Sequence, residues 1–146
     1  DYSKINLREE AKKRKIDPDR LFFAERLENK EKHLARYQIS DLGLDTFNYN
    51  GHTTTSDALW SGLPVLTKIG RSFASRVSAS ILNSVNLSEL IVSTEQEYLE
   101  KAFYLAQNRE EISKLKFKLR DIRKKNLLQS ESYVKDLESL YRKIIK

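Results

Sequence analysis

The chain has 146 residues, 39% of them hydrophobic and 33% charged, with a net charge of +6, values typical of one globular domain with a highly charged surface. The absence of cysteine excludes disulfides and cysteine metal ligands, and two histidines are too few for a histidine-rich metal site. Because no apolar run approaches the roughly 20 residues of a membrane span, and the first residues lack the apolar core of a signal peptide, we expect a cytoplasmic protein that contacts no membrane.

The first third of the chain predicts a helix, a strand and a second helix. Residues 6–15 are predicted to be helical, and this helix should stop before Pro18, because a residue that precedes proline avoids the helical conformation. The apolar run 21–24 predicts a buried strand. The polar loop 26–32 follows it, and a short helix is predicted around residues 30–38.

The middle of the chain predicts two further strands with a helix between them. Residues 41–46 predict a short buried strand, which is followed by the loop 47–51. Residues 53–62 predict a helix with Gly62 as its C-cap. Residues 64–69 are apolar and β-branched, and they predict the third strand.

The remainder is predicted to be mainly helical. After residue 70 a helix is expected with Phe73, Val77 and Ile81 as its apolar stripe, and residues 90–92 predict a short fourth strand. The segment 93–97 is expected to hold the N-cap and the acidic first turn of the next helix. The last predicted helix, residues 132–145, has apolar side chains on one face: Tyr133, Val134, Leu137, Leu140, Tyr141, Ile144 and Ile145.

This alternation of strands and helices predicts an α/β fold. We expect a parallel sheet of three to four strands, flanking helices and a helical C-terminus, all within one domain of residues 1–146. An open parallel sheet binds its ligand at the carboxyl ends of its strands. The loops 26–32 and 47–52 are expected there.

The segment 50–57 is the strongest candidate site. It lies between a predicted strand end and a helix start, where unpaired N–H groups attract phosphate. Gly51 would let an anion approach the backbone. His52 and the hydroxyls of Thr53, Thr54 and Thr55 would add donors. These residue types are equally common as ordinary helix caps, so the phosphate and the capping interpretations both stay open on spacing alone.

A second candidate site is formed by Lys30, His33 and Arg36, which are spaced three residues apart on a predicted helix. That spacing lets all three side chains border one opening. Imidazole stacks on a flat base, and the two cations are donors. Taken alone, a solvated basic helix face is the simpler interpretation.

The positive net charge raises the alternative of a nucleic-acid or polyanion-binding module. Basic residues cluster at 12–15 and again over 114–125, but both stretches are predicted helices that also carry acidic residues. No recognised nucleic-acid-binding motif accompanies them. We therefore expect no nucleic-acid partner.

Several motifs in the chain resemble those of the O-GlcNAc transferase family, which includes plant SPINDLY-type proteins and bacterial homologues. The central motif is Asn50-Gly51-His52-Thr53-Thr54, followed by Asp57, Leu59-Trp60 and Gly62-Leu63-Pro64-Val65. The flanking residues that match are Lys30, His33, Arg36, Asp41-Leu42-Gly43-Leu44-Asp45-Thr46 and Ala74-Ser75-Arg76-Val77-Ser78-Ala79-Ser80. The resemblance extends from about residue 6 to the end, and a bacterial homologue is the expected source.

The resemblance implies a GT-B glycosyltransferase, in which two Rossmann-like halves enclose a cleft. This chain would be most of the nucleotide-sugar-binding half, and the parent protein would transfer a sugar from UDP to Ser or Thr of an acceptor protein without a metal. By the same resemblance the site residues fall into three groups. His33 and Arg36 would contact the uracil, Lys30 and Asp57 the ribose, and His52, Thr53 and Thr54 the diphosphate. No catalytic residue is assigned.

The sequence also departs from the family pattern. Thr55 stands where glycine is usual, and Glu28-Asn29 replaces a more apolar pair. The strand expected before this segment, the other catalytic half and the tetratricopeptide repeats are absent from it. Because the chain starts at Asp1 and contains no methionine, we expect it to be a piece of a longer enzyme and to be inactive alone.

Overall fold

The computed structural model describes residues 2–124 and 130–145. It divides into two compact units, one ending at Lys30 and the other starting at Glu31. The α-helices are α1 (Tyr2–Lys13), α2 (Lys30–Ala35), α3 (Thr53–Trp60), α4 (Val77–Ser84), α5 (Glu95–Gln107), α6 (Arg109–Lys124) and α7 (Ser130–Ile144). The strands are β1 (Gly43–Leu44), β2 (Val65–Lys68) and β3 (Ile91–Val92), and short 3₁₀ turns span Pro18–Arg20, Arg36–Ile39 and Ser88–Leu90.

In the first unit the predicted strand at 21–24 is wrong. These residues are irregular, and Phe22 is 90% exposed. Phe23 lies beneath the cations of Lys4 and Arg8, which are 5.7 and 5.8 Å from its ring centre. A strand needs a hydrogen-bonding neighbour, and none of the described residues of this unit forms one. The loop 26–32 therefore does not follow a strand end.

The second unit contains a parallel three-stranded sheet of order β1-β2-β3. Gly43 pairs with Val65, and Thr67 pairs with Ile91. The central strand β2 is buried along residues 65–67, as expected for a sheet covered by helices. The predicted α/β fold is confirmed, with the sequence 90–92 supplying the third strand.

Helix α3 ends as its sequence predicts. Gly62 has a φ of +88°, a conformation that costs glycine little. The amide of Leu63 donates to the carbonyl of Ala58 at 2.9 Å, which closes the helix with a Schellman-type bond. The chain then turns directly into β2.

The predicted apolar stripe of the next helix is partly wrong. Helix α4 begins at Val77, and Phe73 lies in the preceding turn with 75% of its surface exposed. Ser72 and Ser75 hydrogen-bond to each other and to the backbone in that turn, and such local bonds compete with helix formation. The buried residues of α4 are Ser78, Ala79 and Leu82.

The carboxy-terminal part is helical, as predicted. Thr94 and Glu97 form the reciprocal capping box of α5. The apolar face predicted for the last helix lies on α7, where most of its large apolar side chains are exposed. The core is formed by Ala58, Leu59, Leu63, Val65, Leu82, Val85, Leu87, Leu90, Leu105, Ile112, Leu115 and Leu119.

Candidate functional site

A cleft of about 480 Å³ lies at the carboxyl end of β1. Its lining consists of residues 44–46 and 49–54, so the loop between β1 and α3 forms most of it. The amino end of α3 lies at the same place, since that helix begins at Thr53. An open parallel sheet is expected to bind its ligand in such a position.

The carboxylate of Asp45 organises this loop. Its Oδ1 accepts the amide N–H of Gly51 at 2.7 Å and that of Thr46 at 2.9 Å. Its Oδ2 accepts the hydroxyl of Thr67, on the neighbouring strand β2, at 2.7 Å. One side chain therefore links the end of β1, the sheet and the glycine before α3.

The backbone of Asp45 is held as well. The hydroxyl of Tyr98, on α5, donates to the Asp45 carbonyl at 3.0 Å. Burial, together with the nearby Asp45 carboxylate, raises the pKa of Tyr98 to about 12. The phenol therefore stays a neutral donor at physiological pH.

Asn50 is a buried part of the same loop. Its amide nitrogen donates to the carbonyl of Thr46 at 2.7 Å, and its backbone N–H donates to Ala74 at 2.9 Å. The hydroxyl of Thr46 in turn donates to the carbonyl of Tyr49. Among the described residues, the Asn50 Oδ1 has no hydrogen-bond partner.

The sequence predicted that Gly51 lets an anion approach the backbone, but the structure gives a different reason for a glycine at this position. Its N–H is donated to Asp45 and its carbonyl accepts the Ser78 hydroxyl at 2.8 Å, so its amide is already engaged within the protein. A Cβ at this position would lie 2.4 Å from the Thr55 hydroxyl and 2.7 Å from the Thr54 hydroxyl. The glycine is required because the two threonine hydroxyls approach the backbone so closely.

The amino end of α3 has no side-chain cap. His52 is the N-cap residue, and no side-chain hydrogen bond is made from that position. Thr53 and Thr54, the first two helical residues, are exposed at the cleft, whereas the Thr55 hydroxyl is buried against Ser78 at 2.8 Å. The simple capping interpretation of this motif therefore does not hold.

The ring of His52 is fixed by two aromatic neighbours. It stacks on Tyr49 with centroids 4.8 Å apart, and it meets Phe73 edge-on at 6.1 Å. Its Nε2 is buried and has no partner among the described residues. Neither Tyr49 nor Phe73 was predicted to belong to the site, because only the folded loops bring these two rings to His52.

The second candidate group lies on α2 and the 3₁₀ turn after it. Lys30 is exposed at the first position of α2. The Arg36 guanidinium contacts the His33 Nδ1 at 2.6 Å, and the Tyr37 hydroxyl lies 3.4 Å from its Nε2. The structure thus pairs His33 with Arg36, but neither residue lines the cleft of His52. Asp57 is half-buried one turn into α3 and lies outside that lining.

Cavity volume alone does not identify the site. A larger cavity of about 790 Å³ lies between the edge of β1 and helices α5 and α6, with Leu42, Leu105 and Ile112 in its lining. A cation in that lining, Lys116, is paired with Asp41 at 3.1 Å. The cleft of His52 is smaller, but it combines a helix amino end with hydroxyls and a buried imidazole nitrogen.

Much of the basic surface is paired with acidic side chains. On α6, Lys114 bonds to Glu111 at 2.8 Å and Lys118 bonds to Glu89 at 2.8 Å. On α1, Lys13 bonds to Glu10 at 2.8 Å. Among the described residues, both basic clusters therefore include lysines that are paired with acidic side chains.

Two properties of the described residues concern metals and membranes. No group of three His, Asp or Glu side chains in the described ranges is arranged to hold a metal ion. Among the helices of these same ranges, none combines the length and the apolar character needed to cross a bilayer.

Comparison with known proteins gives consistent matches. The family model described as Glycosyl transferase family 41 matches residues 2–137. A probable UDP-N-acetylglucosamine–peptide N-acetylglucosaminyltransferase SPINDLY of Solanum lycopersicum is 37% identical over 111 residues, which is 75% of this chain and 12% of that protein. The UDP-N-acetylglucosamine–peptide N-acetylglucosaminyltransferase of Caenorhabditis elegans is 35% identical over 136 residues, which is 92% of this chain and 12% of that protein.

A solved structure also matches closely. An O-GlcNAc transferase mutant of Thermobaculum terrenum superposes with a TM-score of 0.88 at 30% sequence identity. The match covers 97% of this chain and 27% of that one. The chain therefore spans about a quarter of the solved relative and about an eighth of the curated relatives.

Proposed function

The chain belongs to glycosyl transferase family 41, and from that premise we propose that it forms the nucleotide-sugar-binding part of a protein O-glycosyltransferase. The proposed donor is a UDP-sugar, with N-acetylglucosamine as the first choice. The proposed acceptor is a Ser or Thr hydroxyl of a protein. The names of the relatives, which specify UDP-N-acetylglucosamine and a peptide, support both choices.

The observation that carries the proposal is the cleft at the amino end of α3. Unpaired N–H groups and the helix dipole attract phosphate there. The exposed hydroxyls of Thr53 and Thr54 supply further polar groups at the same place, and His52, whose buried Nε2 has no partner among the described residues, lines the cleft beside them. We assign the diphosphate to these three residues.

The other roles follow the family resemblance. We propose that His33 stacks on the uracil, that Arg36 contacts the base, and that Lys30 and Asp57 hold the ribose. The charge that develops on the UDP leaving group would be stabilised by the helix amino end and by cationic side chains. The proposal requires no metal and includes a cytoplasmic location, which the cysteine-free sequence suits.

Binding selectivity tests this proposal against the polyanion alternative, which the net charge of +6 motivates. Isothermal titration of the chain with UDP and with ADP at one salt concentration should show tighter binding of UDP. A polyanion-binding surface would instead weaken steeply with salt, because counterions are released. Equal affinity for the two nucleotides would contradict the uracil assignment.

Transfer activity is expected to need residues outside this chain. We propose that the acid–base groups and the acceptor platform come from the rest of the parent protein, since orientation of the reactants supplies much of the rate enhancement. Incubation of the chain with a labelled UDP-sugar and an acceptor peptide should give no transfer, whether or not EDTA is added to remove metal ions. Sustained transfer to the peptide would contradict this expectation.

A further inference from the structure

His33 has a protein partner at each ring nitrogen. The Arg36 Nη2 lies 2.6 Å from its Nδ1, and the Tyr37 hydroxyl lies 3.4 Å from its Nε2. The rings of His33 and Tyr37 are nearly perpendicular, at 87°, with centroids 5.4 Å apart. The imidazole is therefore held between the two residues that begin the 3₁₀ turn Arg36–Ile39.

The chemistry of arginine determines which nitrogen carries the proton. A guanidinium has five N–H donors and no acceptor, and it stays charged in proteins. The Nδ1 of His33 must therefore be unprotonated to accept from Arg36. A neutral imidazole then carries its proton on Nε2, where the Tyr37 oxygen is the acceptor. The distance of 3.4 Å makes this second bond long and weak.

Tyr37 connects this arrangement to the core. Its side chain is half-buried and packs against the hydrophobic core of the second unit. His33 lies on a helix of only six residues, which by itself constrains side chains little. The perpendicular contact with Tyr37 thus ties the orientation of the imidazole to the rigid part of the fold.

We propose that Tyr37 is a positioning residue for His33. Together with Arg36, it fixes the neutral imidazole as the Nε2–H tautomer and in one orientation. This assignment rests on the proposed function in one respect, namely that the fixed ring face is the surface on which the base stacks. A ring that is already oriented loses less entropy when the base binds.

Nitrogen NMR of the imidazole rings tests the assignment without any ligand. Long-range ¹H–¹⁵N correlation spectra distinguish a protonated ring nitrogen from an unprotonated one, and His52→Asn identifies the signals of His33. At a pH of about 8, where imidazoles are generally neutral, the parent chain should show His33 as the Nε2–H tautomer alone. Arg36→Ala should give a mixture of tautomers, whereas Tyr37→Phe keeps the Arg36 contact and should keep the Nε2–H tautomer while shifting the Nε2 resonance. Tyr104→Phe, an exposed tyrosine on α5, is the matched control and should leave the spectrum unchanged.

Nucleotide binding supplies the second readout. Tyr37→Phe keeps the aromatic ring and its packing against the core, and UDP binding should weaken about two- to tenfold. Averaged tautomers or an Nδ1–H form in the parent chain would overturn the assignment, as would a Tyr37→Phe variant with unchanged spectrum and affinity. A fixed Nε2–H tautomer in a chain that does not bind UDP would overturn the proposed function and support the positioning of the ring.

Discussion

The proposed site has a phosphate half, formed by His52, Thr53 and Thr54, and a base half, formed by His33 and Arg36. The two halves are held in place in different ways. At the phosphate half, the loop before Thr53 is held by bonds from distant parts of the sequence, from Thr67 and Ser78. At the base half, His33 is held by its neighbours three and four residues along the chain. Changes in the bonds that hold the first half should therefore affect folding and binding together, whereas changes in the second half should affect binding alone.

The largest effect is expected from Asp45→Asn. The amide keeps the shape of the side chain but replaces one acceptor oxygen by a donor. Either the N–H groups of Gly51 and Thr46 both lose the oxygen that they share, or the hydroxyl of Thr67 loses its acceptor. We expect the free energy of unfolding to fall by about 2–3 kcal/mol, as urea denaturation would measure. UDP binding should weaken as well, because the loop that lines the cleft is released.

Asp41→Asn is the matched control for this prediction. Asp41 belongs to an exposed ion pair with Lys116, and such pairs contribute at most about 1 kcal/mol. If the two aspartate variants are equally stable, the hydrogen bonds of the Asp45 carboxylate do not stabilise the phosphate half.

The next largest loss of stability is expected from Gly51→Ala. The new methyl group would overlap the hydroxyls of Thr54 and Thr55, and we expect a loss of about 1–3 kcal/mol in unfolding free energy together with weaker UDP binding. Gly62→Ala provides the comparison, since there a Cβ meets open space and only the backbone angle is unfavourable. That variant should lose about 1–2 kcal/mol of stability but bind UDP normally; weakened binding in it would show that stability alone controls affinity.

His33→Ala is expected to separate binding from stability. The loss of the stacking face should reduce the free energy of UDP binding by about 1–2 kcal/mol, as calorimetry would show. The unfolding free energy should change by less than about 0.5 kcal/mol, because the side chain is not part of the core. A large loss of stability would show that the base half is as integral to the fold as the phosphate half.

Thr54 and Thr55 are adjacent on α3, but Thr54 is exposed and Thr55 is buried. The same substitution to valine should therefore have different effects at the two positions. Thr54→Val removes a hydroxyl exposed at the cleft, so UDP binding should weaken by about 1 kcal/mol with little change in stability. Thr55→Val removes the buried bond to Ser78, so the unfolding free energy should fall by about 1 kcal/mol. Identical binding by the Thr54 variant and the parent chain would place the phosphate elsewhere.

The smallest expected effect is a pH-dependent change in stability at the amino-terminal cap of α5. The backbone N–H groups of Ser93 and Thr94 bond to the Glu97 carboxylate and lower its pKa below the usual value of 4.5. A carboxylate whose pKa is lowered by folding stabilises the folded state above its unfolded pKa. That contribution disappears as the pH falls through the folded pKa.

Glu97→Gln should therefore be less stable than the parent chain at pH 7, and the difference should close below the unfolded value of 4.5. Urea midpoints across this pH range are the measurement. Glu100→Gln, on the same helix but beyond its first turn, is the control. A difference that persists at low pH would exclude the carboxylate as its source.

The sequence predicted those elements whose signals are local. The Gly62 turn, the helix cap within 93–97 and the apolar strand β2 each depend on a few adjacent residues, and all three are found in the structure. The run 21–24 has a strand-like composition as well, but the structure gives it no strand neighbour. A short apolar run does not reveal whether a neighbouring strand exists.

The candidate site was predictable only in part, for a related reason. The residues at the amino end of α3 form a recognisable local motif, which the structure brings into one cleft. The role of Asp45 depends on Thr67, 22 residues later, and the sequence placed Asp45 only within the predicted strand 41–46. Likewise, the enclosure of His52 by Tyr49 and Phe73 depends on the packing of two separate loops.

Backbone amide NMR can map bound UDP directly on the chain. We expect the largest shift changes at Thr53 and Thr54, a second group at His33 and Arg36, and little change along α5. The same titration with ADP should reproduce the first group much better than the second. Changes concentrated in the larger cavity between β1 and α6, or an absence of any saturable change, would contradict UDP binding at the amino end of α3.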